Sequence, residues 1–143
     1  MRPVLNAEEL TAFLEEVFPQ IRGEAVIESV APMAARMRLT PTERHLRPGG
    51  TISGPTMFML ADVAFYVAVL AMIGREPLTV TTNLSINFLR KPALADLIGE
   101  ARILKLGRTL AVGDATLRSE GAEEPVAHAS VTYAIPRHGQ NMG

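Results

Sequence analysis

Residues 54–73, GPTMFMLADVAFYVAVLAMI, limit the fold more than any other stretch of the chain. From Met57 to Ile73 every residue except Asp62 is apolar or aromatic. A surface helix shows one apolar stripe, whereas a helix that is apolar all round is buried on every side or spans a bilayer. Asp62 would be costly at mid-bilayer. The rest of the chain reads as alternating strands, which one lone spanning helix would not explain. The expectation is therefore a long buried helix in a soluble fold, with no membrane partner. Pro55 suits its first turn, where a missing N–H costs nothing, and Gly74 suits its end.

One sheet can surround such a helix only by curling around it, and the open side then needs another layer, most simply a second subunit. The flanking segments supply the strands. Asn6 and Glu9 predict a capped helix before Leu10, Phe13, Leu14 and Phe18, ended by Pro19 and Gly23. EAVIESVAP and AARMRLTP read as two strands, and in the second Ala35, Met37 and Leu39 alternate with Arg36 and Arg38. TERHLRPGG is loop. After the long helix, LTVTTNLSINFL alternates, with Val80, Thr82, Leu84, Ile86 and Phe88 on one face and Thr81, Asn83, Ser85 and Asn87 on the other. LIGEARILKLGR, LAVGDATLRSEG and PVAHASVTYAI read as three more strands. The order is helix, two strands, buried helix, four strands.

At 143 residues the chain suits a single domain over 1–143, with an N-terminal helical segment in 1–22 and a disordered tail over 137–143. A net charge of -1 gives no basic face for nucleic acid. Cysteine is absent, which excludes disulfides, zinc thiolates and thiol nucleophiles. The first residues carry four Glu and no long apolar core, unlike a signal peptide, and a cytoplasmic home fits.

The stretch SGPTMFMLADVA, residues 53–64, resembles the His-Gly-Gly, spacer, Leu-x-Asp-x-Ala pattern of hotdog-fold thioesterases of the PaaI-like, phenylacetate-pathway group. Gly54 takes the place of the first glycine, and Leu60, Asp62 and Ala64 match the second part at the same spacing. INFLRKPA and LKLGRTLAVGDATL resemble that family's strand-and-turn segment and its Gly-Arg hairpin. The likeness runs from about Glu24 to Ile135. It implies an α+β hotdog fold, a curved antiparallel sheet wrapped around a long central helix. It also implies acyl-CoA thioesterase activity in a homo-oligomer, a dimer or a dimer of dimers (homotetramer), with the Gly and the Asp of each site coming from different subunits. There are departures. Ser53 stands where the family has His, Pro55 where it has a second Gly, and Arg47 where some members carry an Asn that helps hold the nucleophilic water.

Hydrolysis of a thioester needs a group that activates water or attacks the carbonyl, and donors for the oxyanion. A carboxylate partly removed from water is a stronger base than an exposed one, and Asp62 meets that description. The N–H groups around Gly54 are free donors at a helix start, aided by its dipole, and a glycine lets a carbonyl come close. Gly54 and Asp62 lie about 12 Å apart along one helix, so one site takes them from two subunits. Ser53 is either a helix cap or a substrate contact. Met57 and Met59 are core residues or shape an acyl pocket, and Thr81 and Asn83 share a polar strand face that is either a solvated or oligomer-facing sheet surface or the place where the resembled family puts a hydroxyl near the water. Arg90, Lys91, Lys105 and Arg108 could meet coenzyme A phosphates. His45 and His128 have neither metal-ligand spacing nor partner carboxylates and read as surface or packed residues. No metal or separate cofactor is expected, coenzyme A being part of the substrate. Two alternatives stay open: a CoA-ester hydratase on the same fold, and an acyl-CoA-binding module that lost activity when His became Ser53.

Overall fold

The computed structural model describes residues 1–137. The expected tail residues 138–143 lie outside it. Asn6 caps the first helix, α1 (Ala7–Val17), in a reciprocal box. Its side chain accepts the Glu9 N–H at 2.8 Å, and the Glu9 carboxylate accepts the Asn6 N–H at 2.9 Å. Leu10, Phe13 and Leu14 form the buried face. A short 3₁₀ turn, Pro19–Ile21, follows.

The strands are β1 (Val26–Ala31), β2 (Ala34–Leu39), β3 (Val80–Phe88), β4 (Leu97–Leu106), β5 (Leu110–Ser119) and β6 (Pro125–Ala134). They form one antiparallel sheet in the order β1-β2-β4-β5-β6-β3. The long helix α2 (Gly54–Ile73) lies against its concave face, mostly over β4, β2 and β5. In β2 the inward residues Ala35, Met37 and Leu39 are buried, as their alternation with Arg36 and Arg38 predicts.

Two glycines let the helix sit this close. A Cβ at Gly113 would fall 2.0 Å from the Arg102 carbonyl oxygen and 2.7 Å from the Phe65 ring. One at Gly99 would fall 3.0 Å from Leu60 and 3.1 Å from Leu117. Each strand thus gives up a side chain where α2 presses a large one against it. α2 is long and apolar enough to cross a membrane, but 78 % of its most apolar stretch is buried inside the protein, as in a core helix. Its least covered stripe runs through Pro55, Phe58, Met59 and Asp62.

The alternation of β3 is not continuous. A bulge between Thr81 and Asn83, opposite Tyr133 and Thr132 of β6, inserts an extra residue and inverts the side-chain phase. Thr81 therefore shares the inner face with Leu84 and Ile86, while Thr82 and Asn83 are exposed. The single polar face expected for Thr81 and Asn83 does not exist.

Candidate functional site

Asp62 sits in the third turn of α2, on its least covered stripe. Two hydroxyls converge on one of its oxygens. Thr81 Oγ1 donates to Asp62 Oδ1 at 2.7 Å, and Tyr133 OH donates to the same atom at 2.6 Å. The Tyr133 oxygen is also 3.0 Å from the Asp62 carbonyl oxygen. The β3 bulge supplies Thr81, and β6 delivers Tyr133 from directly across the ladder. Among the described residues no donor reaches Oδ2. Burial, and next the Asp62 charge, push the Tyr133 phenol far above its usual range, so it remains a protonated donor.

Asp62 opens onto a cavity of about 330 Å³ walled by Val17, Phe18, Val63, Tyr66, Val80 and Thr79, among others. Thr79 is 4 % exposed, and its hydroxyl has no hydrogen-bond partner among the described residues. The cavity wall is mixed, apolar at Val17, Phe18, Val63 and Val80 and polar at Thr79, Thr81 and Tyr133, beside a carboxylate with one free oxygen. That arrangement suits a reactive carbonyl with a hydrocarbon part.

The start of α2 forms a second feature. Ser53 is its N-cap. The Ser53 hydroxyl accepts the Thr56 N–H at 3.3 Å and lies 2.8 Å from the Thr56 hydroxyl. Gly54 and Pro55 follow as the first helical residues, and no described residue takes the Gly54 N–H. Gly54, Met57, Arg47, Arg90 and Lys91 line one cavity of about 590 Å³ with Phe88 and Leu89. Arg47 and Lys91 are exposed, while Arg90 also pairs with the Pro125 carbonyl and with Glu124 at 3.8 Å. Phe88 lies against Gly54, where a Cβ would meet the ring at 3.3 Å.

Five of the expected residues thus line the cavity at the helix start, where Ser53 and Pro55 also lie. Asp62 and Thr81 meet at the other cavity. Arg108 belongs to neither: the β4–β5 turn carries it to a cavity of about 480 Å³ with Ile73 and Arg137, at the far end of α2. Asn83 is turned outward by the bulge. Both histidines differ from expectation by having carboxylate partners, His45 with Glu24 at 2.8 Å and His128 with Asp114 at 3.1 Å. Burial opposes the Asp114 charge, but hydrogen bonds from His128 and Arg102 outweigh it and hold that carboxyl below its usual range. Among the described residues no group of His, Asp and Glu could hold a metal ion.

The profile of the family described as "Thioesterase superfamily" matches residues 49–126, which include the α2 start, Asp62 and Thr81. The chain belongs to the thioesterase superfamily. A crystal structure from Silicibacter sp. TM1040, provisionally described as a thioesterase, is 60 % identical, with a TM-score of 0.88 and 95 % of each chain covered. The PaaI protein of the E. coli phenylacetic acid degradation operon shares 22 % identity and the fold, with a TM-score of 0.78 over 91 % of this chain and 93 % of that one. A variant of PaaI from Thermus thermophilus is 25 % identical, with a TM-score of 0.72 over 82 % of this chain and 99 % of that one. No curated protein sequence matches. The fold is a PaaI-like hotdog, and thioester hydrolysis is the class of activity that goes with this superfamily.

For a thioesterase of this build, Tyr133 is the residue that sequence reasoning missed. One signal was present. Val131 and Tyr133 alternate inward on β6, and an inward tyrosine needs a partner for its hydroxyl. Val17, Phe18 and Phe88 carried no such signal, because only the tertiary packing brings them to the two cavities.

Proposed function

We propose that this thioesterase hydrolyses an acyl-CoA to the free acid and coenzyme A, with Asp62 as general base or nucleophile and the Gly54 N–H as oxyanion donor. The observation that carries this reading is the Asp62 carboxylate itself, with Oδ1 taken by Thr81 and Tyr133 and Oδ2 without a donor among the described residues, beside a cavity whose wall is partly apolar. As general base, Oδ2 removes a proton from water as the water oxygen attacks the thioester carbon. The resulting oxyanion is held by N–H donors, and its collapse expels the CoA thiolate, which takes up a proton. As nucleophile, the carboxylate attacks directly, the thiolate leaves, and water opens the acyl–Asp62 anhydride.

Gly54 and Asp62 line different cavities of one protomer, about 12 Å apart along α2. This favours a homo-oligomer, a dimer or a dimer of dimers, whose sites join Gly54 of one subunit to Asp62 of another. The incompletely covered stripe with Phe58, 40 % exposed, favours the same reading. Arg47, Arg90 and Lys91 are suited to the phosphates of coenzyme A. The reaction needs no metal or further cofactor, and the enzyme works in the cytoplasm. A hydratase would require a His at Asp62, and neither His45 nor His128 pairs with it.

The test is release of free thiol from a panel of acyl-CoAs, with wild type and Asp62→Asn compared. We expect turnover of at least one acyl-CoA and a loss of about 10²-fold or more in the variant. Near-wild-type hydrolysis by the variant would make Asp62 structural.

A further inference from the structure

His45 is 3 % exposed, and both of its ring nitrogens are engaged. Nδ1 accepts the Thr42 backbone N–H at 2.9 Å, which places the ring hydrogen on Nε2. Nε2 then donates to Glu24 Oε1 at 2.8 Å. The other Glu24 oxygen pairs with Arg44. Glu24 lies just before β1, so this contact ties the 3₁₀ turn Glu43–His45 to the beginning of the sheet.

The main chain of the same residue faces α2. The His45 carbonyl accepts the Ser53 N–H at 2.8 Å and the Thr56 hydroxyl at 3.3 Å. Ser53 and Thr56 are the residues that cap and begin the helix around Gly54. The loop between them and His45, closed by the Leu46–Ile52 bridge and by the Arg47 N–H on the Thr51 carbonyl at 2.8 Å, carries Arg47. One histidine thus joins the edge of the sheet, through its ring, to the helix start, through its carbonyl.

We propose that the Glu24–His45 pair is a positioning device for the thioester site. It fixes the direction of the Gly54 N–H through the His45 carbonyl and touches no substrate. The proposal rests on Gly54 being the oxyanion donor. A histidine that merely filled space would not need Glu24, and an apolar side chain could replace it. A donor aimed at a transition state does need a fixed backbone, since a shift of about 1 Å can cost about 10²-fold in rate.

The variants are chosen by atom. His45→Gln puts an amide nitrogen near the place of Nε2 and keeps the bond to Glu24, while His45→Asn keeps only an acceptor near Nδ1. Glu24→Ala removes the anchor and leaves the ring in place. Two readouts are taken on the full chain: steady-state constants with the best acyl-CoA, and amide hydrogen exchange at Ser53 and Met57. In His45→Asn and Glu24→Ala we expect kcat to fall about 10-fold or more with KM within about threefold, the mark of an interaction that acts in the transition state. Ser53 exchange should rise about 10-fold while β4 and β5 stay protected. His45→Gln should keep kcat within about threefold, and adding Glu24→Ala to it should remove that rescue. Wild-type kcat and wild-type Ser53 exchange in Glu24→Ala would overturn the proposal. A wild-type protein that hydrolyses no acyl-CoA would overturn the functional reading instead, and the Ser53 exchange would still decide whether the pair holds the helix start.

Discussion

The Tyr133 hydroxyl lies 2.6 Å from Asp62 Oδ1 and 3.0 Å from the Asp62 carbonyl oxygen, so one phenol holds both the side chain and the main chain of that residue. Thr81 approaches the same Oδ1 at 2.7 Å. The carboxylate is fixed by one oxygen, and the other keeps its acceptor capacity. Hydrogen bonds to a charged group contribute about 1.5–3 kcal/mol each, enough to select one rotamer.

Removing either donor should therefore loosen the carboxylate without deleting it. Tyr133→Phe and Thr81→Val should each lower kcat by about 10-fold, with a smaller change in KM. Because both donors act on one atom, the double variant should lose less than the sum of the two effects in a double-mutant cycle. Wild-type kcat in both single variants would reduce the pair to packing.

Gly54 offers two separable changes. Both changes add a Cβ 3.3 Å from the Phe88 ring, but Gly54→Pro also deletes the N–H, at a helix position that tolerates proline, whereas Gly54→Ala keeps it. If the N–H holds the oxyanion, the proline variant should lose about 10²–10³-fold in kcat. The alanine variant should lose far less and regain activity when Phe88→Ala is added. Equal activity of the proline and alanine variants in steady-state assays would assign the oxyanion to another donor.

A site shared between subunits can be reconstituted. Asp62→Asn and Gly54→Pro proteins are each expected to be inactive. After mixing and subunit exchange, random pairing in a two-fold dimer should give about one intact site in four. Activity near a quarter of wild type is the expected result. A mixture as inactive as its components, with exchange shown by mass spectrometry, would place both groups in one protomer's site.

Acid should weaken the outer face of the sheet. Glu28 of β1 is bonded to Arg38 and Arg36 of β2, and these, Arg38 first, hold its carboxyl below the ordinary 4.5. A depressed carboxyl contributes stability above its unfolded value, and that contribution is lost as pH falls through the folded value. Tm should therefore drop as pH is lowered from about 5 toward 3. Glu28→Gln should have a lower Tm at pH 7 and a flatter acid slope, by a small and salt-sensitive amount because the pairs are partly exposed. Identical slopes for the two proteins in thermal melts at several pH values would show that the pairs contribute nothing.

Periodicity made the elements readable. The Met57–Ile73 segment, apolar but for Asp62, its Ser53-Gly54-Pro55 start and the alternation in β2 each pointed to the structure found. The bulge at Thr82 was not readable, because Val80 to Phe88 alternate without interruption in the sequence and the inversion of phase arises only on pairing with β6. For the same reason Thr81 and Asn83 looked equivalent. Arg108 was grouped with Arg90 and Lys91 by charge, but the length of β4 carries it to the opposite end of α2. The carboxylates beside His45 and His128 lie 21 and 14 residues away in the chain, too far for local spacing to show them.

The burial of α2 also sets a condition on how the chain is made. The helix is complete at Ile73, but β4, β5 and β6, which cover much of it, end only at Ala134. At about 5–20 residues per second, those roughly 60 residues take about 3–12 s to emerge from the ribosome. For that time a segment as long and apolar as a membrane span has only β1 and β2 to cover it. A carboxylate near the centre of that segment is costly in a bilayer, which opposes misdirection there while the sheet is still being synthesised.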